Sequence, residues 1–193
     1  MQPIYLDNAA STRVTDDVLA LMTEVMRTAW GNPSSAHPQG ASARGHIETA
    51  RLRLLAALGD PNGVLGDIVW TSGCTEADAL AVLGAARVKP GAIVLSSIEH
   101  AAVGAAAARL GSDGREVIEV APGADGVLDP DTVAAAAASA GVVSIVMVQN
   151  EVGIVQPVAA IAAAVKQRSP ACHLHIGCAG CGALRLARAR VPA

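Results

Sequence analysis

The sequence predicts an α/β protein in which a mostly parallel sheet carries helices on both faces. Three observations lead there. Short apolar runs at residues 67–71, 93–96, 116–120, 142–148 and 172–176 alternate with longer stretches of helical periodicity. Glycine, proline and serine punctuate the joins, most densely from Gly31 to Gly40. The composition, 52% hydrophobic and 16% charged, is rich enough to form a core, yet Phe is absent and the aromatics are Tyr5, Trp30 and Trp70. The interior must therefore be built from Ala, Val, Leu and Ile.

The elements follow in order. Residues 16–28 place Val18, Leu19, Met22, Val25 and Met26 on one helical stripe. Residues 41–58 form a second helix with Arg44, Glu48, Arg51 and Arg53 on its outer face. The strand at 67–71 runs into a helix over 75–87. Helices at 101–110, 130–140 and 158–168 separate the remaining strands, the spacing that parallel crossovers require. Alanine tracts such as Ala134 to Ala138 are helix formers rather than low-complexity segments.

The same composition excludes several functions. A net charge of −3 gives no basic footprint for nucleic acid. The start of the chain lacks a signal peptide's basic and apolar regions. The longest weakly polar run, residues 133–148, is shorter than the roughly 18 residues that mark a membrane span. Cys74, Cys172, Cys178 and Cys181 are too few for a disulfide framework. A cytoplasmic protein with reduced thiols is expected.

Chemistry concentrates at loop segments. Thr71-Ser72-Gly73-Cys74-Thr75-Glu76 ends a strand, allows a tight turn at Gly73 and opens a helix. Free N–H groups and the helix dipole there suit either a phosphate or a simple cap. Asp7-Asn8, the polar loop from Asn32 to His37, Glu99-His100 and Gln149-Asn150-Glu151 are likewise richer in polar groups than plain connectors need. The segments at 97–100 and 149–153 follow strands, where ligands of open α/β sheets usually lie.

Together these segments resemble the cysteine desulfurases, class V aminotransferase-type enzymes of the fold-type I pyridoxal-phosphate group. The resemblance runs through Tyr-Leu-Asp-Asn-Ala-Ala-Ser-Thr from Tyr5, Gly-Asn-Pro-Ser-Ser-Ala-His from Gly31 and Thr-Ser-Gly-Cys-Thr-Glu-Ala from Thr71. It continues in Ser-Ile-Glu-His from Ser97 and Asn-Glu-Val-Gly-Ile-Val-Gln-Pro from Asn150, covering roughly residues 4–176. It implies a substrate-side segment at 1–15, a partial cofactor-binding large domain at 16–176 and a divergent tail at 177–193. It also implies pyridoxal 5′-phosphate held by Cys74 and Thr75, a stacking His100, and Asn150 on the ring hydroxyl oxygen. Asn8, Asn32 and His37 would line the substrate side. In the intact family L-cysteine yields alanine, and the sulfur passes to a catalytic cysteine as a persulfide. A homodimer, or pairing with a full-length homologue, is implied; nucleic acid and membranes are not.

The resemblance breaks at Gly177, where the family carries the aspartate that pairs with the pyridine nitrogen. Gly180 stands where its glutamine belongs. The family's cofactor-bonding lysine, persulfide cysteine and substrate-carboxylate arginine have no counterpart; Lys89 and Lys166 lie in unmatched contexts. The expectation is a truncated chain, inactive alone and without covalent cofactor binding. Codons for residues 177–182 can be chosen so that reading one base later gives Ala-Ala-Gln-Ala-Ala. A frameshift near Ile176, or substitution with truncation, would account for the tail. Alternatives are a non-catalytic interaction module, one half of a split desulfurase, another class V aminotransferase or a selenocysteine lyase. A zinc reading of Cys172, His173, His175, Cys178 and Cys181 is set against the alternation of side chains along a strand, and no metal site is expected.

Overall fold

The computed structural model describes residues 4–8, 10–64 and 66–178. Two compact units divide between Val69 and Trp70. The first holds helices α1 (Asp16–Thr28) and α2 (Pro38–Ala57). Asp16 and Asp17 in α1's first turn and Arg27 in its last match the helix dipole. Its apolar stripe is nonetheless exposed, and no α1 residue is buried. Helix α2 begins three residues before the predicted start, because Pro38 suits a first helical turn and His37 caps it. The preceding loop closes tightly over Gly40, where a Cβ would lie 2.4 Å from the Ser35 carbonyl oxygen.

The second unit contains the sheet. Helix α3 (Cys74–Val88) leads to β1 (Ala92–Ser96), α4 (Ala101–Ser112), β2 (Val117–Val120) and α5 (Pro130–Ala136). A short 3-10 turn precedes β3 (Ala140–Val146), followed by α6 (Val158–Arg168) and β4 (His173–Gly177). All pairings are parallel, in the order β2-β1-β3-β4. Successive residues of the central strands face opposite layers. Ile93, Leu95 and Val142 pack against Val82, Val103 and Ala106 of α3 and α4. Val94, Val143 and Ile145 pack on the other side against Val133 of α5 and Ile161 and Val165 of α6. The predicted two-sided cover is present, and no aromatic ring enters either core. Alanines let the helices lie close to the sheet.

One predicted strand does not form. Residues 67–71 carry the β-rich run Ile68-Val69-Trp70 but lie outside the sheet. A strand needs a neighbour for its N–H and C=O groups, and among the described residues none pairs with this segment. The Arg51 guanidinium instead donates to the Asp67 carboxylate at 2.7 Å and to the Ile68 carbonyl. Val69 and Trp70 remain exposed.

Candidate functional site

Parallel strands end together, and the carboxyl edge of this sheet gathers the second unit's polar groups. Helix α3 opens there. Its first intrahelical bond runs from Ala77 N–H to the Gly73 carbonyl at 3.1 Å, so the N–H groups of Cys74, Thr75 and Glu76 precede it. The Glu76 carboxylate turns back to accept from Ser72 N–H at 2.6 Å; hydrogen bonding by the Ser72 side chain, and then by this N–H, holds it below the usual carboxylate range. Gly73 is fully extended, with φ of 163°, so the expected tight glycine turn is absent. Its contribution is space: a Cβ on Gly73 would meet nothing within 4 Å. Cys74 and Thr75 are exposed on this open turn.

One helical turn further on, Asp78 interrupts α3's buried stripe of Val82, Ala85 and Ala86. It joins two strand ends. Its Oδ1 lies 3.5 Å from His175 Nε2 on β4, and its Oδ2 lies 4.0 Å from His100 Nδ1 before α4. His100 is half-buried and caps α4, its Nδ1 accepting from Ala102 N–H at 3.2 Å. His175 is fixed on its other side by Ser144, with Oγ to Nδ1 at 2.9 Å. Burial lowers the His175 pKa against the opposing pull of Asp78, which favours the neutral imidazole.

Glu99 completes the cluster. Its Oε1 accepts from Ser96 Oγ at 2.8 Å and from Val146 N–H at 2.6 Å, which locks the carboxyl between β1 and β3. Burial, with Asp78 nearby, pushes its pKa up to about 7 despite those hydrogen bonds. Two buried carboxylate oxygens, Asp78 Oδ2 and Glu99 Oε2, have no hydrogen-bond partner among the described residues. Such atoms are costly to leave unmatched, so the edge is suited to a ligand bearing a donor.

The other predicted site residues are placed less tightly. Asn150 is exposed at the tip of a loop after β3, closed by a Val148–Val155 bridge and by Gly153 N–H on the Gln149 carbonyl at 2.8 Å. Asn8, Asn32 and His37 belong to the first unit and are exposed. Asn32 Oδ1 accepts from Ser34 N–H at 2.9 Å, and His37 Nδ1 accepts from Gly40 N–H at 3.2 Å. Both lysines occupy the opposite edge of the sheet, where strands begin. Lys89 follows α3 and precedes β1, and Lys166 Nζ donates to the Cys172 carbonyl at 2.7 Å. Cys172 itself is buried on the α5–α6 face, away from the His175–Ser144 pair. Residues 179–193, including Cys181 and most of the divergent tail, lie outside the described residues.

A parallel sheet with helices on both sides, a helix opening at its carboxyl edge and a capping histidine beside it define a class of protein. The chain belongs to the aminotransferase class-V family, which it matches over residues 4–179. Within that family it is similar to cysteine desulfurases. The curated cysteine desulfurase IscS of Azotobacter vinelandii is 39% identical over 180 residues, spanning 89% of this chain and 44% of that protein. A NifS-like protein of known structure has a TM-score of 0.80 at 32% identity, over 88% of this chain and 47% of its own. SspA, solved in complex with cysteine, has a TM-score of 0.77 at 31% identity, over 87% and 48%. The chain spans less than half the length of each.

Proposed function

We propose that this chain is the cofactor-holding part of a cysteine desulfurase-like protein that binds pyridoxal 5′-phosphate at the carboxyl edge of its sheet and does not turn over L-cysteine alone. The observation that carries the reading is the convergence of α3's open N-terminus, His100 and two orphaned carboxylate oxygens at one edge. These residues fit the group. Backbone N–H groups of Cys74 and Thr75, with the Thr75 hydroxyl, would hold its phosphate in the positive end of the helix dipole. His100, held in orientation by its capping bond to Ala102 N–H, would lie on the ring face. Asn150 would reach the ring hydroxyl oxygen. Bound there, pyridoxal phosphate supplies an electron sink for bond breaking in an amino acid. L-cysteine is the substrate class, in keeping with the cysteine held by SspA. A cytoplasmic location and a homodimer are part of the proposal.

The restriction on turnover comes from the lysines. Lys89 and Lys166 lie at the strand starts, and the five-residue β1 alone puts the strand ends roughly 15 Å away. Among the described residues no amine is placed to bond the cofactor's aldehyde. Adding pyridoxal phosphate to the purified chain and following absorbance and retention on dialysis tests this. Saturable binding released by dialysis, with no borohydride-fixed adduct at a unique lysine, is expected. Stoichiometric fixation on one lysine, or alanine production from cysteine, would overturn it.

A second reading has its own observation. A groove of about 560 Å³ follows the free edge of β4 and α6, lined by Met147, Val158, Ala162, Leu174, Ile176 and Cys178 among others. Among the described residues no strand pairs with the outer edge of β4, and such an edge above apolar side chains accepts a strand from another chain. That favours an interaction module or one half of a split enzyme. Co-purification of a second desulfurase-like chain that blocks this edge would support it.

A further inference from the structure

We propose that Glu99, through its Oε2 atom, is this chain's partner for the ring nitrogen of pyridoxal phosphate, serving where Gly177 leaves no side chain to do so. The proposal rests on the cofactor reading above and assigns a residue within it. Gly177 ends β4 in register with Val146 of β3. A Cβ built on it would lie 3.6 Å from Glu99 Oε2 and 3.8 Å from His175 Cε1, both ordinary contacts. A side chain at position 177 would thus lie against the free oxygen of Glu99. With glycine, no side-chain atom of residue 177 lies against that oxygen.

Three features make Glu99 the acceptor rather than a bystander. Its Oε1 is tied to Ser96 Oγ and Val146 N–H, so the direction of Oε2 is fixed by the ends of two strands. Oε2 is buried without a hydrogen bond, a deficit that a ring N–H would remove. His100 is the next residue, so the carboxylate and the imidazole expected on the ring face come from one turn of chain. The other orphaned oxygen, Asp78 Oδ2, is the weaker candidate. It lies 4.0 Å from His100 Nδ1, and Oδ1 of the same carboxylate lies 3.5 Å from His175, whereas Glu99 Oε2 is the carboxylate oxygen nearest a Cβ on Gly177. The interaction is a single shared proton between the ring nitrogen and Glu99, with no bond to carbon made or broken. Its character suits the site: a carboxyl with a pKa near 7 holds or releases that proton at neutral pH.

Equilibrium dialysis of the full chain against pyridoxal phosphate, and against the analogue whose ring nitrogen is replaced by C–H, is the test. The wild-type chain should bind pyridoxal phosphate about tenfold more tightly than the analogue, as loss of one charge-assisted hydrogen bond implies. Glu99→Gln should bring the two affinities within about twofold of each other. Gly177→Asp in that background should restore the preference. Equal wild-type affinity for both ligands overturns the proposal without any variant, and so does an undiminished preference in Glu99→Gln. Failure of the wild-type chain to bind either ligand removes the cofactor reading, and this assignment with it.

Discussion

Glu99 and His175 sit within one cluster, and burial moves their pKa values in opposite directions. The raised pKa of Glu99 means that its contribution to stability is complete below its ordinary value of 4.5 and is lost as pH rises through about 7. The lowered pKa of His175 works in reverse, with stability present above its ordinary 6.5 and lost as pH falls below it. Comparing variant with wild type cancels the histidine. Glu99→Gln keeps an acceptor for Ser96 and Val146, so it should match wild type near pH 4. By pH 8 it should be more stable by on the order of 3 kcal/mol, from the rise of 4.5 to about 7. Urea melts at the two pH values check this, and an unchanged gap between them refutes it. Ser144 is completely buried, and its removal leaves His175 Nδ1 without its partner. Ser144→Ala should cost about 1–3 kcal/mol in the same melts at pH 8.

At the scale of elements, close backbone approach governs the fold more than side-chain bulk does. Where β3 leaves its 3-10 turn, a Cβ on Gly141 would lie 2.4 Å from the Pro90 carbonyl oxygen and 2.5 Å from that of Lys89. These are main-chain atoms, tied down by Arg115, whose guanidinium donates to the Ala86 and Lys89 carbonyls at 2.8 and 2.9 Å. Gly141→Ala should therefore destabilise by about 2 kcal/mol or more, or abolish folding. Circular dichroism and thermal melting read that directly. Gln156 plays a comparable part at the start of α5, accepting from Leu128 N–H and donating to the Gly126 carbonyl, both at 2.8 Å. Gln156→Leu should lower stability by about 2 kcal/mol through the two groups left unpaired.

The elements were legible in proportion to how local their causes are. Helices α1 and α6 have the predicted bounds, because periodicity and charged ends are written within the segment itself. Residues 67–71 read as a strand on β-branched content alone, but pairing is non-local and their composition could not supply a neighbour. The site shows the same division. The α3 N-terminus and His100 were readable from short motifs. Asp78 was missed although it left a signal, a single carboxylate in step with Val82, Ala85 and Ala86 on a buried stripe. Glu99 lies in the Ser-Ile-Glu-His segment, but its place beside Gly177 comes from its bond to Val146 and the pairing of β3 with β4, which no local pattern encodes.

For the whole molecule, the notable feature is apolar surface. Val18, Leu19, Met22 and Met26 of α1 are all exposed, as are Val69 and Trp70. Together with a β4 edge that no described residue pairs with, this predicts self-association of the isolated chain. Sedimentation velocity should show mass rising with concentration, and replacing Met22 and Met26 with glutamate should reduce it. A concentration-independent monomer would contradict the prediction.

The order β2-β1-β3-β4 also governs how the sheet can be made on the ribosome. The strand that emerges first becomes an inner one, and each later strand finds its hydrogen-bonding neighbour already synthesised: β2 beside β1, β3 on β1's other flank, and β4 beside β3. Growth is outward, and after β1 no strand must wait for a partner from later in the described chain. The carboxyl edge is assembled in the same sequence, so Glu99 and His100 are in place when β3 arrives, and Gly177 is laid down last.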